Sequence, residues 1–585
     1  MDAARVLVER SVTGKTWRLR PADPAAVERL IAAGGVPDVV ARMLCARGIT
    51  PAEIRRFLDP RLSEQLPDPS DLLDMDRAAD RLARAVVAGE AIAVFGDYDV
   101  DGATSAALLQ RFLISVGGRP RVYVPNRLTE GYGPNAPALR QLAAEGAKVV
   151  VTVDCGITAH DALAAGAEAG LDAIVVDHHA AADTLPRAVA VVNPNRRDES
   201  SPLKHVAAVG IAFLLAVAAN RALRAAGWYA TRREPDLLSL LDLVALGTVA
   251  DVVPLTGLNR VYVAQGLKVA NEGGNVGLAA LAGVARLTGP IGAYHLGYVL
   301  GPRVNAGGRV GAPDMGARLL ATDDPAEART LAERLDALNR ERQSIEADVL
   351  AAAEAQVIAA GERPVALAAG QGWHPGVIGI VASRLKDKFG RPALVVALDG
   401  AQGKGSGRAD NGFDLGAAIL AARAAGLLVN GGGHPRAAGF TVATDMLGAF
   451  RDFVEARAAT REAASLIHDI DGMLPLVAAT PELVATIERA GPFGTGHREP
   501  RFAFGGVRIA FADVVGNAHV RCALADEHGT RLSAIAFRAA ATPLGAALLD
   551  RAGAPLDVSG VLRTDNWQGR VRVQCQIDDA ARAAP

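Results

Sequence analysis

The sequence predicts an α/β fold: two α/β domains joined by a long helix, with a small β-barrel at the C-terminal end. Three observations predict it. From about residue 90, short β-branched runs alternate with helix-like stretches, which is typical of a parallel sheet covered by helices. A capped helical pattern then separates this region from a second one of the same kind. Beyond residue 470, short strands with turn signals are typical of a barrel.

The first α/β domain is predicted at residues 86–322, and its strands lead into aspartates. The strand-forming runs are Ala91–Phe95, Lys148–Val153 and Leu171–Val176. The aspartates that follow these runs are Asp97, Asp154 and Asp177. Ligands bind at the carboxyl edge of open parallel sheets, so these side chains are expected to meet there.

The other segments follow from similar local signals. Residues 1–85 are mostly helical in pattern and are predicted to pack on the first α/β domain. The connecting helix is predicted at 323–361, because Asp324 is an N-cap, Pro325 suits the first turn and the apolar spacing stops at Gly361.

The second α/β domain is predicted at 362–462 and the barrel at 466–585. The second domain contains predicted strands at Pro364–Ala369 and Pro392–Leu398, with a helix at Gly376–Phe389 between them. The predicted barrel strands are Pro500–Phe504, Val507–Phe511, Arg531–Phe537 and Arg570–Ile577.

The composition excludes a general electrostatic attraction to nucleic acid. The formal net charge of the 585 residues is −2, so a polyanion site must be built from local arginines and lysines. The 4 cysteines have no CxxC spacing, which argues against a disulfide framework or a cysteine–zinc site. Neither an N-terminal signal pattern nor an apolar run long enough to span a membrane is seen, so a soluble cytoplasmic protein without a membrane partner is predicted.

The densest acidic cluster, Asp97, Asp99 and Asp101, follows the first strand. Massed carboxylates repel one another and are tolerated mainly where a cation neutralises them. The string matches the start of a calcium-binding helix–loop–helix loop, which needs a glutamate at loop position 12. That position is Leu108, and a strand rather than a helix precedes the string, so the calcium loop is excluded.

Further candidates for the same centre are Asp154, the run Asp177–His179, and Asp251 at the end of a predicted helix. Carboxylates with imidazoles and no thiolate favour Mn²⁺ or Mg²⁺ over structural zinc. So many acidic groups are excessive for one cation. They suit two cations that share a bridging carboxylate, an arrangement that hydrolyses phosphate esters.

These motifs resemble those of the DHH phosphoesterase superfamily. Later segments resemble its RecJ branch: Gly301–Arg309, Trp373–Arg384, Gly403–Arg408 and Gly431–Phe440. The resemblance implies that the first α/β domain is a DHH domain, that the second is a DHHA1 substrate-binding domain, and that the barrel is of the OB type.

The resemblance also implies roles for individual residues. The implied metal ligands are Asp99, Asp101, Asp154, His178 and Asp251. Asp154 is implied to bridge two Mn²⁺ or Mg²⁺ ions, while Asp97 is either a further ligand or a partner of the ligands. His179 is placed beside the scissile phosphate. The predicted catalytic residues are thus Asp154, His178 and His179.

The glycine-rich segments are predicted to be turns whose backbone amides approach phosphate oxygens, beside side chains that neutralise charge. One such segment alone is more typical of a plain tight turn, but three together, each with a basic residue or histidine, favour phosphate binding. The predicted substrate contacts are Arg303, Asn305, Arg309, His374, Ser406, Arg408, Gly432 and His434.

In the barrel, aromatic side chains are candidates for stacking on the bases of a single strand. The preferred candidate is Trp567, which lies in a polar turn. The other candidates are Phe493, Phe502 and Phe504, with Arg498, Arg501 and Arg563 nearby.

The sequence therefore predicts a metal-dependent exonuclease that degrades single-stranded DNA. The resemblance further implies 5′→3′ polarity, release of 5′-mononucleotides, a role in DNA recombination and repair, and single-strand binding protein and a RecQ-type helicase as partners. Two alternatives stay open: a relative that hydrolyses oligoribonucleotides or phosphorylated nucleotides, and a non-catalytic single-strand-binding relative. The barrel argues against the first, because a small substrate needs no extended platform. The full ligand set argues against the second.

Overall fold

The computed structural model describes residues 5–127, 129–410, 412–459, 466–516, 518–550, 553–567 and 570–583, and the side chains at 566, 567 and 570 lie outside this description. The chain forms two compact units. The barrel unit consists of Met1–Pro67, Val252–Leu267 and Ser465–Pro585. The α/β unit consists of Asp68–Asp251 and Lys268–Ala464.

Numbered in chain order, the strands are β1 (Val6–Val8), β2 (Thr16–Leu19), β3 (Ile92–Gly96), β4 (Pro120–Tyr123), β5 (Val149–Val153), β6 (Asp172–Val176), β7 (Ala190–Val192), β8 (Ala366–Gln371), β9 (Ala393–Asp399), β10 (Gln402–Arg408), β11 (Asn430–His434), β12 (Ala437–Ala443), β13 (Ile467–Ile470), β14 (Gly472–Met473), β15 (Phe502–Val515), β16 (His519–Ala525), β17 (Arg531–Ala536), β18 (Leu556–Trp567) and β19 (Arg570–Arg582).

The α-helices are α1 (Pro24–Gly34), α2 (Asp38–Ala46), α3 (Ile54–Leu58), α4 (Leu62–Gln65), α5 (Met75–Ala88), α6 (Val100–Ser115), α7 (Ala136–Ala144), α8 (His160–Glu168), α9 (Ala208–Ala225), α10 (Leu241–Ala250), α11 (Gly257–Asn271), α12 (Val276–Val284), α13 (Gly301–Val310), α14 (Met315–Ala321), α15 (Pro325–Ala359), α16 (Ile378–Phe389), α17 (Leu415–Ala424), α18 (Leu447–Ala458), α19 (Pro481–Arg489) and α20 (Pro543–Leu549). One π-helical turn lies at His295–Leu300, and 3₁₀ turns lie at Pro69–Asp71, Trp228–Ala230, Leu237–Leu240, Thr444–Met446 and Leu476–Ala478.

The first sheet is parallel throughout, in the order β4-β3-β5-β6-β7. Strands β3 and β5 are buried at every residue, which explains their continuous apolar, β-branched sequences. Because all five strands run in one direction, the residues that follow β3, β5 and β6 lie at the same edge of the sheet. The predicted parallel-sheet domain is confirmed.

Helix α9 is, within the described parts of the chain, the one helix long and apolar enough to cross a membrane by length and composition. Of its residues, 72% are buried inside the protein, where the helix packs against α5 and α6. Packing in the core of the α/β unit therefore accounts for its apolar sequence.

Helix α15 has 35 residues, and its N-cap Asp324 accepts a hydrogen bond from the Ala326 amide at 2.8 Å. Its first part packs on α12, α13 and α14, and its second part packs on α16 and β8. It thus connects the first sheet region to a second, mixed sheet of order β11-β12-β10-β9-β8, in which β8 and β9 are parallel and the other neighbours antiparallel.

The C-terminal sheet closes into a five-stranded barrel, because β15 pairs with both β16 and β18 in the order β15-β16-β17-β19-β18. The OB-type barrel is therefore confirmed. Phe502 and Phe504 are fully buried in its core, so they are not available to stack on bases. The guanidinium groups of Arg501 and Arg563 form ion pairs with Asp578 and Glu499.

Residues 5–67 differ from the prediction, because they contain strands and share the core of the barrel unit. Strand β2 pairs with β13, and the buried face of α2 joins the hydrophobic cluster that contains Phe502. From Asp68 onward the chain belongs to the α/β unit, where α5 packs on α9. Residues 5–67 are thus grouped with the barrel unit rather than with the first α/β domain, and their packing on that domain stays a prediction. Helical periodicity reveals an apolar face but not its partner.

Candidate active site

The acidic string 97–101 occupies the turn from β3 into α6. Asp97 directly follows β3, and Asp99 is the N-cap of α6, where its carboxylate accepts the Gly102 amide at 3.0 Å. Asp101, in the first turn of α6, accepts the amides of Ala208 and Val209 at 2.7 and 2.8 Å. These amides begin α9, where the positive end of the helix dipole favours a carboxylate.

Asp154 follows β5 with a φ of 60°, a left-handed conformation uncommon outside glycine. Its amide donates to the Val176 carbonyl of β6 at 3.0 Å. Functional sites often keep such strained residues, because the surrounding structure holds a side chain where the chemistry needs it. Here the buried carboxylate of Asp154 is held at the edge of the sheet.

His178 brings the carboxylates of three segments together. Its Nε2 atom lies 3.3 Å from Oδ1 of Asp154, 3.7 Å from Oδ2 of Asp251 and 3.9 Å from Oδ2 of Asp101. Potential ligand atoms within 4.8 Å of one another form three groups: Asp97 with Asp99 and Asp154, Asp101 with His178 and Asp251, and Asp154 with His178 and His179. The structure thus brings all six predicted ligands together.

The buried polar atoms of this cluster fit a cation. Within the described residues, no hydrogen bond reaches Oδ1 of Asp97, Oδ1 of Asp154, Oδ2 of Asp251 or Nε2 of His178. Leaving such atoms unpaired is costly in a folded protein, so a bound cation is the natural partner. Two of the groups share Asp154, which matches a carboxylate that bridges two ions.

The electrostatics of the protein without metal support the same conclusion. Burial, followed by the charge of Asp99, raises the pKa of Asp101 to about 7. Burial and the charge of Asp101 raise the pKa of Asp251 to about 9. The pKa of Asp154 is also raised by burial and by its acidic neighbours, while burial lowers the pKa of His178 to about 4. These carboxylates require positive charge nearby in order to ionise together.

Asp177 positions the two histidines. Its carboxylate accepts the amides of Ile157 and His178 at 3.0 and 2.7 Å, and it accepts Nδ1 of His179 at 2.8 Å. Burial opposes ionisation of Asp177, but these hydrogen bonds outweigh burial and lower its pKa. Because Nδ1 of His179 is bound to Asp177, His179 is better suited to contact a phosphate than to bind a metal through that atom.

The glycine-rich segments are not the predicted turns. Residues 301–310 form helix α13, and residues 402–408 and 430–434 form antiparallel strands. Their glycines permit close packing: a Cβ on Gly308 would lie 2.6 Å from the carbonyl oxygen of Tyr98, and one on Gly407 would lie 2.5 Å from Cδ2 of Leu394. A high glycine content therefore indicates that the backbone packs closely against its neighbours, but it does not distinguish a turn from a helix or a strand.

Arg309 and His374 line a cleft of about 150 Å³ together with Arg127. Burial, followed by the charge of Arg127, lowers the pKa of Arg309 to about 10. Arg408 donates to Ser406 Oγ at 3.1 Å, and the same two causes lower its pKa. No described carboxylate forms an ion pair with Arg309 or Arg408. Such concentrated and unneutralised positive charge is typical of a phosphate-binding site.

Other predicted substrate contacts are placed differently. Arg303 donates to Asp336 at 2.9 Å and to the Val299 carbonyl at 2.6 Å, so its charge is already neutralised within the protein, and its contact with substrate stays a prediction. Asn305 is half-buried on α13. Gly432 and the exposed His434 lie on the edge strand β11. The side chain of Trp567 lies outside the described residues.

The loop between β4 and α7 supplies two residues that the sequence reasoning missed, Arg127 and Tyr132. Arg127 lines the cleft, and the Tyr132 hydroxyl donates to the Asp154 carbonyl at 2.9 Å. Their position in the sequence could have identified them, because the loop follows β4 and therefore starts at the carboxyl edge of the parallel sheet. Asn193 and Asn195, after β7, were also missed; they donate to the carbonyls of His179 and His178 at 3.0 and 2.5 Å.

Family models match most of the chain. The DHH family N-terminal domain matches residues 91–248, the DHHA1 domain matches 361–460 and the RecJ OB domain matches 470–579. A curated single-stranded-DNA-specific exonuclease RecJ from Dickeya dadantii is 39% identical over 508 residues, covering 83% of this chain and 86% of that relative. This chain belongs to the RecJ family.

Solved RecJ structures agree. The crystal structure of RecJ with Mn²⁺ from Thermus thermophilus has a TM-score of 0.82 and is 31% identical, covering 97% of this chain and 80% of that chain. The Mg²⁺ complex from the same organism has a TM-score of 0.76 and 29% identity, covering 97% and 79% of the two chains. The prediction of Mn²⁺ or Mg²⁺ is confirmed by these RecJ relatives. The assignment of individual ligands remains a prediction.

Proposed function

We propose that this protein is an exonuclease specific for single-stranded DNA, acting 5′→3′ and releasing 5′-mononucleotides. One observation carries the proposal. At the carboxyl edge of the first sheet lies a cluster of buried acidic and imidazole atoms without hydrogen-bond partners among the described residues. The charges of Arg127 and Arg309 act on its carboxylates, and neither arginine forms an ion pair with a described carboxylate. Phosphodiester hydrolysis needs both features, a metal centre and a site for backbone phosphates.

The metal ligands are proposed to be Asp97, Asp99, Asp101, Asp154, His178 and Asp251, with Asp154 shared between two ions. Mn²⁺ or Mg²⁺ bound there would generate the nucleophile from water and stabilise charge on the phosphate oxygens. The chain's own contribution is to hold the carboxylates at fixed positions. The amides that bind Asp101 and the left-handed backbone of Asp154 fix two of these positions.

The residues around the metal centre bind and orient the phosphates. Arg309 and Arg408 donate charge-assisted hydrogen bonds to the strand, and the charge of Arg127 acts on both of them. Burial lowers the pKa of His179, but its hydrogen bond to Asp177 and the charge of that carboxylate outweigh this effect, so the net pKa is raised. The imidazole therefore donates to the scissile phosphate while Nδ1 stays on Asp177.

Selectivity for one strand is proposed to come from the narrow cleft lined by Arg127, Arg309 and His374. Its volume of about 150 Å³ is smaller than a base pair, so a duplex end would have to open before one strand entered. Its residues come from the loop after β4, from α13 and from the segment before α16. A strand end held there would place one backbone phosphate over the carboxylates.

The test uses strands labelled at either end, with Mn²⁺ present, on the wild type and on Asp154→Ala. The expected result is mononucleotide release from the 5′ end by the wild type, with blunt duplex of the same sequence resistant. Asp348→Ala, an exposed aspartate on α15, is the matched control and should keep full activity. Equal cleavage of blunt duplex would refute the selectivity, retained activity in Asp154→Ala would refute the bridging role, and cleavage confined to dinucleotides would favour the small-substrate alternative.

Partners and location remain predictions from the family resemblance. Single-strand binding protein and a RecQ-type helicase are the expected partners in recombination and repair, and the cytoplasm is the expected location. Affinity capture with each purified partner, with and without DNA, tests the first expectation. Binding that disappears after nuclease treatment would show a DNA bridge rather than a protein contact.

A further inference from the structure

Tyr132 makes contacts with two parts of the centre at once. Its hydroxyl donates to the Asp154 carbonyl at 2.9 Å, and the same oxygen lies 3.2 Å from Nδ1 of His179. The rings of Tyr132 and His179 meet edge to face, with centroids 5.8 Å apart. The Tyr132 hydroxyl therefore links Asp154, the proposed bridging ligand, to His179, which is proposed to contact the phosphate.

The assignment of protons in this group follows from its donors and acceptors. The Asp177 carboxylate only accepts, so Nδ1 of His179 carries a proton directed at Asp177, with the Tyr132 oxygen as a second, longer acceptor. The single proton of the Tyr132 hydroxyl is then available for the Asp154 carbonyl. A phenol keeps its proton at neutral pH, because its ordinary pKa is about 10.

The sequence around Tyr132 presents this side chain to the centre. Gly131 and Gly133 have φ angles of 87° and 76°, so the backbone bends on both sides in conformations that suit glycine. Glu130 anchors the loop by accepting the Asn126 amide and the Tyr123 hydroxyl at 2.8 and 2.7 Å. Tyr132 thus lies between two bends of the backbone, and its hydroxyl group points to Asp154 and His179.

We propose that Tyr132 is a positioning residue of the exonuclease centre, whose hydroxyl holds the left-handed backbone of Asp154 and the ring orientation of His179. The inference rests on the proposed function and adds a residue to it. In this role the Tyr132 hydroxyl contacts Asp154 and His179 rather than the substrate. Its effect passes through Asp154 and His179, so removing the hydroxyl alone should slow turnover without weakening binding of the strand.

The test is Tyr132→Phe, which keeps the ring and removes both hydrogen bonds. The expected result is a fall in kcat of about tenfold to a hundredfold, with KM within about twofold of the wild type. The matched control is Tyr294→Phe, which removes the hydroxyl of an exposed tyrosine beside the π-helical turn and should leave both constants unchanged.

A double-variant cycle separates positioning from general stability. If part of the effect of Tyr132 passes through His179, adding Tyr132→Phe to His179→Ala should lower kcat by a smaller factor than Tyr132→Phe does in the wild type, because only the contact with Asp154 is left to lose. Fully additive losses, or a Tyr132→Phe enzyme within about twofold of the wild type, would overturn the proposal.

A readout without catalysis keeps the test independent of the proposed function. Crystals of Tyr132→Phe grown with Mn²⁺ should show the His179 ring rotated or in two orientations, compared with one orientation in the wild type. An unmoved ring and an unmoved Asp154 carbonyl would overturn the inference, whatever the enzyme does. If instead the wild type failed to degrade single strands, the proposed function would fail while this structural comparison still decided the role of Tyr132.

Discussion

Nε2 of His178 lies 3.3 Å from Oδ1 of Asp154, and neither atom has a hydrogen-bond partner among the described residues. A neutral imidazole and a carboxylate at this separation are arranged as ligands of a common cation, since burial lowers the pKa of His178 to about 4. Both residues belong to one ligand group, His178 also belongs to the second and Asp154 to the third, so the pair links all three groups of the proposed metal centre.

The first prediction concerns metal binding. Asp154→Asn should lower activity by about a thousandfold or more and abolish stabilisation by Mn²⁺, because both ions lose their shared ligand. In the wild type, Mn²⁺ at about 100 times its Kd should stabilise the fold by about 2.7 kcal/mol. Without metal, the variant should melt no lower than the wild type, because one charge in a repelling cluster is gone. Thermal unfolding with Mn²⁺ or EDTA measures both effects, and an undiminished Mn²⁺ shift in the variant would contradict the assignment.

The second prediction concerns the phosphate site. Arg309→Ala should raise KM for single-stranded DNA by about tenfold to a hundredfold, since a charge-assisted hydrogen bond in a desolvated cleft is lost. The slope of log affinity against log salt should become shallower by about 0.7 for each phosphate contact removed. Arg423→Ala, on α17, is the control and should change neither quantity. A change in kcat alone, with KM and salt slope intact, would argue against phosphate binding.

The third prediction concerns the turn that carries the acidic string. A Cβ on Gly102 would lie 2.5 Å from the carbonyl oxygen of Asp97 and 2.6 Å from its amide nitrogen. Gly102→Ala should therefore destabilise the fold by about 2–3 kcal/mol and displace Asp97 and Asp99 enough to remove most activity. Gly448→Ala is a matched helical control with no atom within 4 Å of the added carbon, and it should be neutral or stabilising by up to about 1 kcal/mol. Urea unfolding and an exonuclease assay on both variants provide the comparison.

The fourth prediction concerns stability of the barrel unit against pH. His497 donates Nε2–H to the Ala490 carbonyl at 2.8 Å, while its Nδ1 lies 3.2 Å from the Arg47 guanidinium, so the fold requires the neutral ring. Burial, with smaller effects from the charges of Arg47 and Arg260, lowers the pKa of His497 to about 4. In the unfolded chain the pKa of this histidine is about 6.5. As pH falls from about 6.5 towards 4, the unfolded state therefore binds a proton that the folded state does not, and the free energy of unfolding decreases.

The stabilisation from the neutral ring is complete above about pH 6.5 and declines by about 3 kcal/mol as pH falls to about 4. His497→Gln should be less stable than the wild type at about pH 7.5 but should lose less stability between about pH 6.5 and 4. Urea titrations of both proteins at several pH values measure this difference. Parallel curves for the two proteins would contradict the role given to His497.

Strand and helix formation was predictable wherever the signal was local. The apolar runs of β3, β5 and β6 and the capped pattern of α15 depend on residues close together in the chain, and the structure places these elements within a few residues of the predicted ranges. The edge on which the aspartates meet was also predictable, because parallel strands end on one side. The segment 301–310 illustrates the limit: its glycines suggested a turn, but the segment is helical, and the missing side chain of Gly308 makes room for Tyr98, far earlier in the chain.

By itself, the sequence determined the parallel sheet, the long helix, the barrel and the set of acidic and imidazole residues that meet at one edge. Its periodicity and strand-end positions encode these features locally. Only the tertiary structure decided that Arg303 is neutralised by Asp336, that residues 5–67 join the barrel, and that Arg127 and Tyr132 reach the centre from a loop. These outcomes depend on which distant surfaces pack together, and neither composition nor spacing along the chain specifies that choice.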